Sequence, residues 1–308
     1  MASPSPPRTE TESAAGSLDA VAVAASLRRL ARQAQPPWLH GEVAQRMAQR
    51  LAIVRLQPEA VLEWWGFTGA SGALLAAAYP KARRIVVEPN DELLLRSRSE
   101  VRSPWWPLRS RRNAPEVQRD DAAPGGVQLL WSNMALHGSP DPEAQLARWQ
   151  GLLDVGGFVM YSCLGPDTLR ELRQVYQQLG WPPPAHEFVD MHDLGDMMVQ
   201  AGFADPVMDQ ERLELTWDSP QALLVELRSL GGNASPARWQ ALRTPRWRER
   251  LHAGLQMLAR PDGRLGLSFE VVYGHAFKAA PRMPQRDGSE VSLEEMRALL
   301  PSARGPRS

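Results

Sequence analysis

The sequence predicts an α/β fold built on a doubly wound sheet, mostly parallel with an antiparallel edge and a helical insertion late in the sheet. Three observations carry that prediction. Short apolar runs alternate with stretches of helical apolar spacing, the order expected of a parallel sheet covered on both faces. A glycine-bearing turn, Gly66-Phe-Thr-Gly-Ala-Ser-Gly72, directly follows the first apolar run, where a strand would pass into a helix. Two late runs, Leu213–Trp217 and Leu265–Tyr273, are separated by helical pattern and a Gly231-Gly232 turn, which suits an antiparallel pair at the sheet edge.

Taken in order, residues 1–16 are rich in Ser, Pro, Thr and Glu and read as a disordered tail. Leu18 to Leu51 has helical apolar spacing broken at Gln35-Pro-Pro-Trp38, which predicts two helices around a turn. Ala60–Leu62, Arg84–Val87, Val127–Trp131 and Phe158–Tyr161 are the strand candidates. Between the second and third of these units, Ser103–Asn113 is basic, aromatic and proline-broken, and reads as a surface insertion. A helix is expected from near Asp167, with that carboxylate as its cap, before a bend at Trp181-Pro-Pro-Pro184. Another helix runs through Leu223–Leu230, and one more follows the Gly-Gly turn. From Pro281 the chain is a polar tail, and no internal repeat is visible.

Composition narrows the function classes. A hydrophobic share of 43% with 23% charged residues is that of an ordinary globular protein. The formal net charge of +0 gives no global attraction to nucleic acid or membrane, so any electrostatic partner must meet a local patch. Cys163 is the only cysteine, which excludes an intramolecular disulfide and a cysteine-based zinc site and fits a reducing cytoplasm. No apolar run approaches the ~18 residues of a membrane span, and no secretory signal core is present.

Four local patterns, in the right order, resemble the class I S-adenosylmethionine (SAM) methyltransferases. They are Val61-Leu-Glu63 with its glycine turn, Glu88 at the end of the second strand, Leu130–His137 followed by Asp141-Pro142, and Leu152-Leu-Asp-Val-Gly-Gly-Phe158. Within that superfamily the chain is similar to the malonyl-acyl-carrier-protein O-methyltransferases of biotin biosynthesis. Ser162–Leu169, Asp190–Asp196 with Ala201–Pro206, Leu227–Asn233 and Ser268–Ala276 carry this likeness, which covers residues 20 to 280. The resemblance implies a methyltransferase-like domain over 17–280, with a helical cap at 17–58, a cofactor-binding half at 59–165 and an acceptor half at 166–280. It also implies methyl transfer from SAM to a malonyl thioester on acyl carrier protein, and the chain itself is expected to be a cytoplasmic monomer.

The resemblance assigns cofactor-binding roles to Glu63, Gly66, Gly69, Glu88, Asp121 and Asn133. Glu88 follows Glu63 at the spacing where a carboxylate holds ribose hydroxyls, while Asp121, beside Asp120, would face the adenine. His137, just past the fourth strand, is the candidate to hydrogen-bond the acceptor. Arg228 is the candidate for its carboxylate, because a guanidinium fork matches a carboxylate in two hydrogen bonds; Arg170 and Arg173 rank behind it. His192 reads as part of a helix cap. Trp105, Trp106, Arg109, Arg111 and Arg112 form a candidate carrier-protein surface, preferred over a nucleic-acid one.

The chain departs from the family pattern at two places. Trp65 and Phe67 stand where glycines are expected, and Leu27 stands where the N-terminal helix usually offers a tyrosine over the cofactor. Two readings therefore remain open: a SAM-dependent carboxyl O-methyltransferase, or a non-catalytic protein on the same fold that holds a carrier protein.

Overall fold

The computed structural model describes residues 18–101 and 114–280. The expected tails, and the Trp105–Arg112 surface, lie outside the described residues.

Two helices open the described chain, as their spacing predicts. α1 (Ala20–Ala31) is capped by Asp19, whose carboxylate accepts from the Val21 and Ala22 amides. α2 (Trp38–Arg50) follows Pro37 and buries Leu39, Val43 and Met47. The sheet then begins with β1 (Ala60–Trp64), and a short helical turn, α3 (Gly66–Gly69), leads into α4 (Gly72–Ala78). β2 (Arg83–Glu88) and α5 (Asp91–Val101) come next, followed by β3 (Glu116–Arg119) and β4 (Val127–Ser132). α6 (Pro142–Leu152) starts on an Asp141 cap and precedes β5 (Leu153–Leu164).

After α7 (Arg170–Gln178) and α8 (Met191–Gln200), the long strands β6 (Phe203–Trp217) and β7 (Leu265–Lys278) flank an insertion. The insertion carries α9 (Pro220–Ser229) and α10 (Pro245–Gln256).

The strands form one sheet in the order β3-β2-β1-β4-β5-β7-β6. β1 through β5 pair in parallel, and β7 runs antiparallel to both neighbours. The parallel sheet with an antiparallel edge is therefore present as predicted. Side-chain alternation explains its two cores. Val61, Leu129, Phe158 and Met160 face α2, α4 and α7 on one side, while Leu62, Leu130, Val159 and Tyr161 face α6 and α8 on the other. Trp64 and Trp149 meet edge to face at 5.9 Å in the second core.

Three local expectations are corrected. β3 lies where the sequence predicts no strand, because four residues at the sheet edge with half-exposed side chains carry no apolar run. β6 extends well beyond Leu213–Trp217, since its outward positions are polar at a solvated edge. α7 begins at Arg170 rather than near Asp167, with Leu169 in the left-handed region at φ 58°. The Asp167 carboxylate instead pairs with Arg212, while its amide donates to Glu270.

Candidate active site

Strand order brings the C-terminal ends of β1, β2, β4 and β5 to one edge, where an open α/β sheet forms its crevice. At β1 the backbone turns sharply through Trp65, which takes φ 55° and ψ 55°. A non-glycine residue in this region costs about 1–2 kcal/mol, so the surrounding contacts must hold it. The amide of Trp65 donates to the Val87 carbonyl, and its own carbonyl accepts from Gly69 and from the Thr68 hydroxyl.

Gly66 is required by packing here: a Cβ at this position would lie 2.6 Å from Val86 Cγ1. Gly69 has looser surroundings, and its carbonyl accepts from Asn133 Nδ2 at 2.6 Å and from the Ser71 hydroxyl at 2.9 Å. Asn133 also donates to the His40 carbonyl at 2.7 Å and accepts from the Ser162 hydroxyl at 2.7 Å. It thus ties the β1 turn, α2 and β5 together, with its whole amide engaged by protein.

The two candidate carboxylates of the turn are deeply buried. Glu88 Oε1 accepts from the Phe67 amide at 2.8 Å and the Ser97 hydroxyl at 2.6 Å, while Oε2 has no partner among the described residues. Burial pushes its carboxyl up to about 7. Glu63 faces Arg84 at 3.5 Å through Oε2, and its Oε1 has no partner. Desolvation again outweighs the guanidinium and lifts this group to about 7. Phe67 is turned away from the crevice toward α5, where the Arg96 guanidinium lies 5.0 Å over its ring. Asp121 stands apart, exposed on the short turn after β3.

Beside this turn lies a cavity of about 820 Å³. Its walls come from α1, α2, the β1 turn, the segments after β4 and β5, and the late insertion. His137 and Arg228, the two acceptor-site candidates, both line it, as do Leu27 and Trp65. Glu63, Gly66, Gly69, Glu88, Asp121 and Asn133 do not. Trp65 occupies the wall near Gly138, and its indole N–H has no partner.

His137 Nδ1 accepts from the Leu164 amide at 3.4 Å, which leaves Nε2 as the protonated nitrogen of a neutral ring. Burial, with His186 and His40 nearby, holds the ring well below the ordinary histidine range. His40, whose Nδ1 meets the Thr68 carbonyl at 2.6 Å, is pushed down to about 4 by burial. His186 Nε2 meets the His137 carbonyl at 3.0 Å, and burial lowers it as well. The interior end of the cavity is therefore neutral. Its formal charge comes from Arg29, Arg228, Arg243 and Arg248, and among the described residues no carboxylate lines it.

The lesser arginine candidates are occupied elsewhere. Arg173 donates to the carbonyls of Thr168, Ala185 and His186, and Arg170 pairs with Glu171 and Asp167. His192 sits in the α8 cap, where its amide donates to Asp190. Sequence reasoning missed His40, His186 and Glu270. Glu270 and Thr168 knit two of the family-like motifs together: the Thr168 hydroxyl donates to the Glu270 carbonyl at 3.1 Å, and Leu169 N donates to the Ser268 carbonyl at 2.7 Å. The pairing of those motifs was the available signal.

No family model matches the chain. It is 39% identical over 259 residues to the malonyl-[acyl-carrier protein] O-methyltransferase of Gallionella capsiferriformans, covering 82% of this chain and 88% of that protein. The chain belongs to that family. The member from Laribacter hongkongensis is 38% identical over 261 residues, with the same shares covered. Among solved structures, a putative methyltransferase from Bacillus halodurans superposes with a TM-score of 0.52 at 14% identity, over 78% of this chain and 100% of the other. The YcgJ protein from Bacillus subtilis gives 0.51 at 8% identity, over 78% and 99%. These two likenesses establish the methyltransferase fold. Membership of the malonyl-[acyl-carrier protein] O-methyltransferase family in turn makes the cavity, rather than the β1 turn alone, the site to interpret.

Proposed function

We propose that this chain is a SAM-dependent carboxyl O-methyltransferase acting on a malonyl thioester carried by acyl carrier protein. Family membership across both halves of the chain supports the reaction class. The observation that carries the substrate reading is the cavity itself: an apolar interior, a neutral histidine donor in its wall, arginines around it and no carboxylate among the described residues. A cavity of this size lies in the range of small-molecule sites.

The residues at the β1 and β2 ends fit the cofactor through one unmet need. The buried Oε2 of Glu88 and Oε1 of Glu63 lack donors, and an unpaired buried acceptor costs about 1–3 kcal/mol. Ribose hydroxyls or an ammonium group would relieve that cost. Glu88 and Glu63 would hold the cofactor, with Trp65 packing against its aliphatic part. SAM, when bound, supplies an electrophilic sulfonium methyl. A carboxylate acceptor is already nucleophilic, so the protein needs no strong general base. Its work is positioning and exclusion of water. His137 Nε2–H orients the acceptor carboxylate, and Arg228 at the cavity rim attracts it.

A second reading has its own observation. Glu88 Oε1 is already saturated by the Phe67 amide and Ser97, and Trp65 takes up cavity wall beside Gly138. That favours a family member that holds the carrier without turning over SAM.

Calorimetric titration of SAM separates the two. The enzymatic reading expects micromolar binding that weakens by at least about tenfold in Glu88→Ala, which is 1.4 kcal/mol or more. No heat at millimolar SAM, from protein shown to be folded, would leave the carrier-holding reading.

A further inference from the structure

The late insertion carries charge that nothing in the described chain neutralises. Between Arg228 and Arg260 the only acidic residue is Glu249, against seven arginines. Arg238 is paired with Asp19 and Arg260 with Glu214. Arg228, Arg243, Arg246, Arg248 and Arg250 have no carboxylate partner among the described residues.

Two of these five are held in place by aromatic rings. Trp181 and Trp247 stack at 5.0 Å; the Arg243 guanidinium lies 4.4 Å from the Trp247 ring and that of Arg250 lies 5.5 Å from Trp181. A guanidinium resting on a ring keeps its N–H edge free for an anion and loses less freedom on binding one. Arg228 and Arg248 are exposed and also line the cavity. Part of this charge thus stands where the cavity wall meets solvent.

Beside the arginines, two large apolar side chains face solvent: Trp239 at 51% and Leu242 at 96% exposure. Apolar anchors ringed by arginines are the composition of a protein-binding surface. The same side chains do not form an open base-stacking track, because Trp181 and Trp247 spend faces on each other and on arginines.

We infer that the surface formed by Trp239, Leu242, Arg243, Arg246, Arg248 and Arg250 docks an acidic carrier protein, so that the carrier's phosphate-bearing arm enters the cavity between Arg228 and Arg248. This rests on the proposed function for the identity of the partner. It places docking on the insertion, whereas the sequence pointed to Trp105–Arg112, which lie outside the described residues.

The test titrates malonylated acyl carrier protein into the full chain by calorimetry, for the wild type, for Arg246→Glu/Arg250→Glu and for Leu242→Ser. Both variants should weaken binding by about tenfold or more. Leu242→Ser should keep the wild-type melting temperature because its side chain packs on nothing. Wild-type affinity should fall as salt is raised. Affinities within twofold of wild type in both variants overturn the inference, as does absence of carrier binding by the wild type. A single-stranded oligonucleotide or an anionic phosphatidylserine vesicle that binds this face while the carrier does not also overturns it. Methyl transfer to a short malonyl thioester is followed in parallel with the wild type. Its failure with carrier docking intact sinks the enzymatic reading and leaves the docking surface standing.

Discussion

Glu63 and Glu88 are buried carboxyls at the ends of adjacent strands, each with one oxygen lacking a donor. Both are shifted up to about 7, chiefly by desolvation, and the Glu63 charge adds to the rise at Glu88. A carboxyl with a folded value above its unfolded value of 4.5 stabilises the fold fully at pH values below 4.5. That contribution is lost as pH climbs through about 7. Glu88→Gln removes one of the two titrations while keeping an oxygen for the Phe67 amide. Across the interval from about pH 4.5 to 7, unfolding stability should therefore decline more steeply in the wild type than in the variant. Urea unfolding at several pH values measures this, and parallel curves would show that Glu88 is not shifted upward. A ligand donating to Oε2 would favour the ionised form, so bound cofactor should flatten the wild-type curve.

At the level of elements, the antiparallel edge includes one close approach. Gly274 of β7 lies opposite Tyr161 of β5, and a Cβ there would sit 2.5 Å from the Tyr161 ring. Tyr161 is fully buried, with its hydroxyl near Met198 Sδ, so the ring has no room to retreat. Gly274→Ala should destabilise the fold by roughly 1–3 kcal/mol, read as a lower denaturant midpoint. An unchanged midpoint would mean that the ring can shift. That contact was invisible in the sequence, although the strands themselves were legible. Val61–Leu62, Leu129–Leu130 and Phe158–Val159 each supply one side chain to each face, so their apolar runs announce a sheet buried on both sides. β3 and the outer half of β6 are edge segments, where solvated positions erase the pattern. For the site, His137 and Arg228 could be read because each sits in a motif-like stretch, and the fold brings both to the cavity. His40 could not, since its role depends on the carbonyl of Thr68, 28 residues away in sequence. Nor could the sequence reveal that Asn133 spends its amide on His40 and Gly69.

For the molecule as a whole, net neutrality hides an uneven arrangement of charge. The cavity has arginines and neutral histidines in its walls, and the acids nearest the β1 turn are buried behind it. An anionic ligand of the cavity should bind the folded chain and not the unfolded one. A soluble malonyl thioester at a hundredfold its dissociation constant should thus add about 2.7 kcal/mol to unfolding stability. The corresponding neutral methyl ester should add less, because the arginines lose their partner. Thermal melts with acid and ester side by side decide the point, and equal shifts would show that charge plays no part in recognition.

The insertion leaves the sheet at Trp217 and returns at Leu265, and these two residues face each other in one register pair. Everything between them leaves and rejoins the sheet at that single rung, while α9 and α10 fold back to pack Leu223, Leu251 and Leu255 into the core. Exchanging that segment leaves the strand ends where they are, so the chain can revise how it greets its substrate provided the replacement keeps apolar side chains at Leu223, Leu251 and Leu255, which the insertion gives to the core. Variation in acceptor choice across the family then has a natural place to accumulate, and grafting residues 218–264 from another member onto this frame should preserve folding while changing which carrier is accepted.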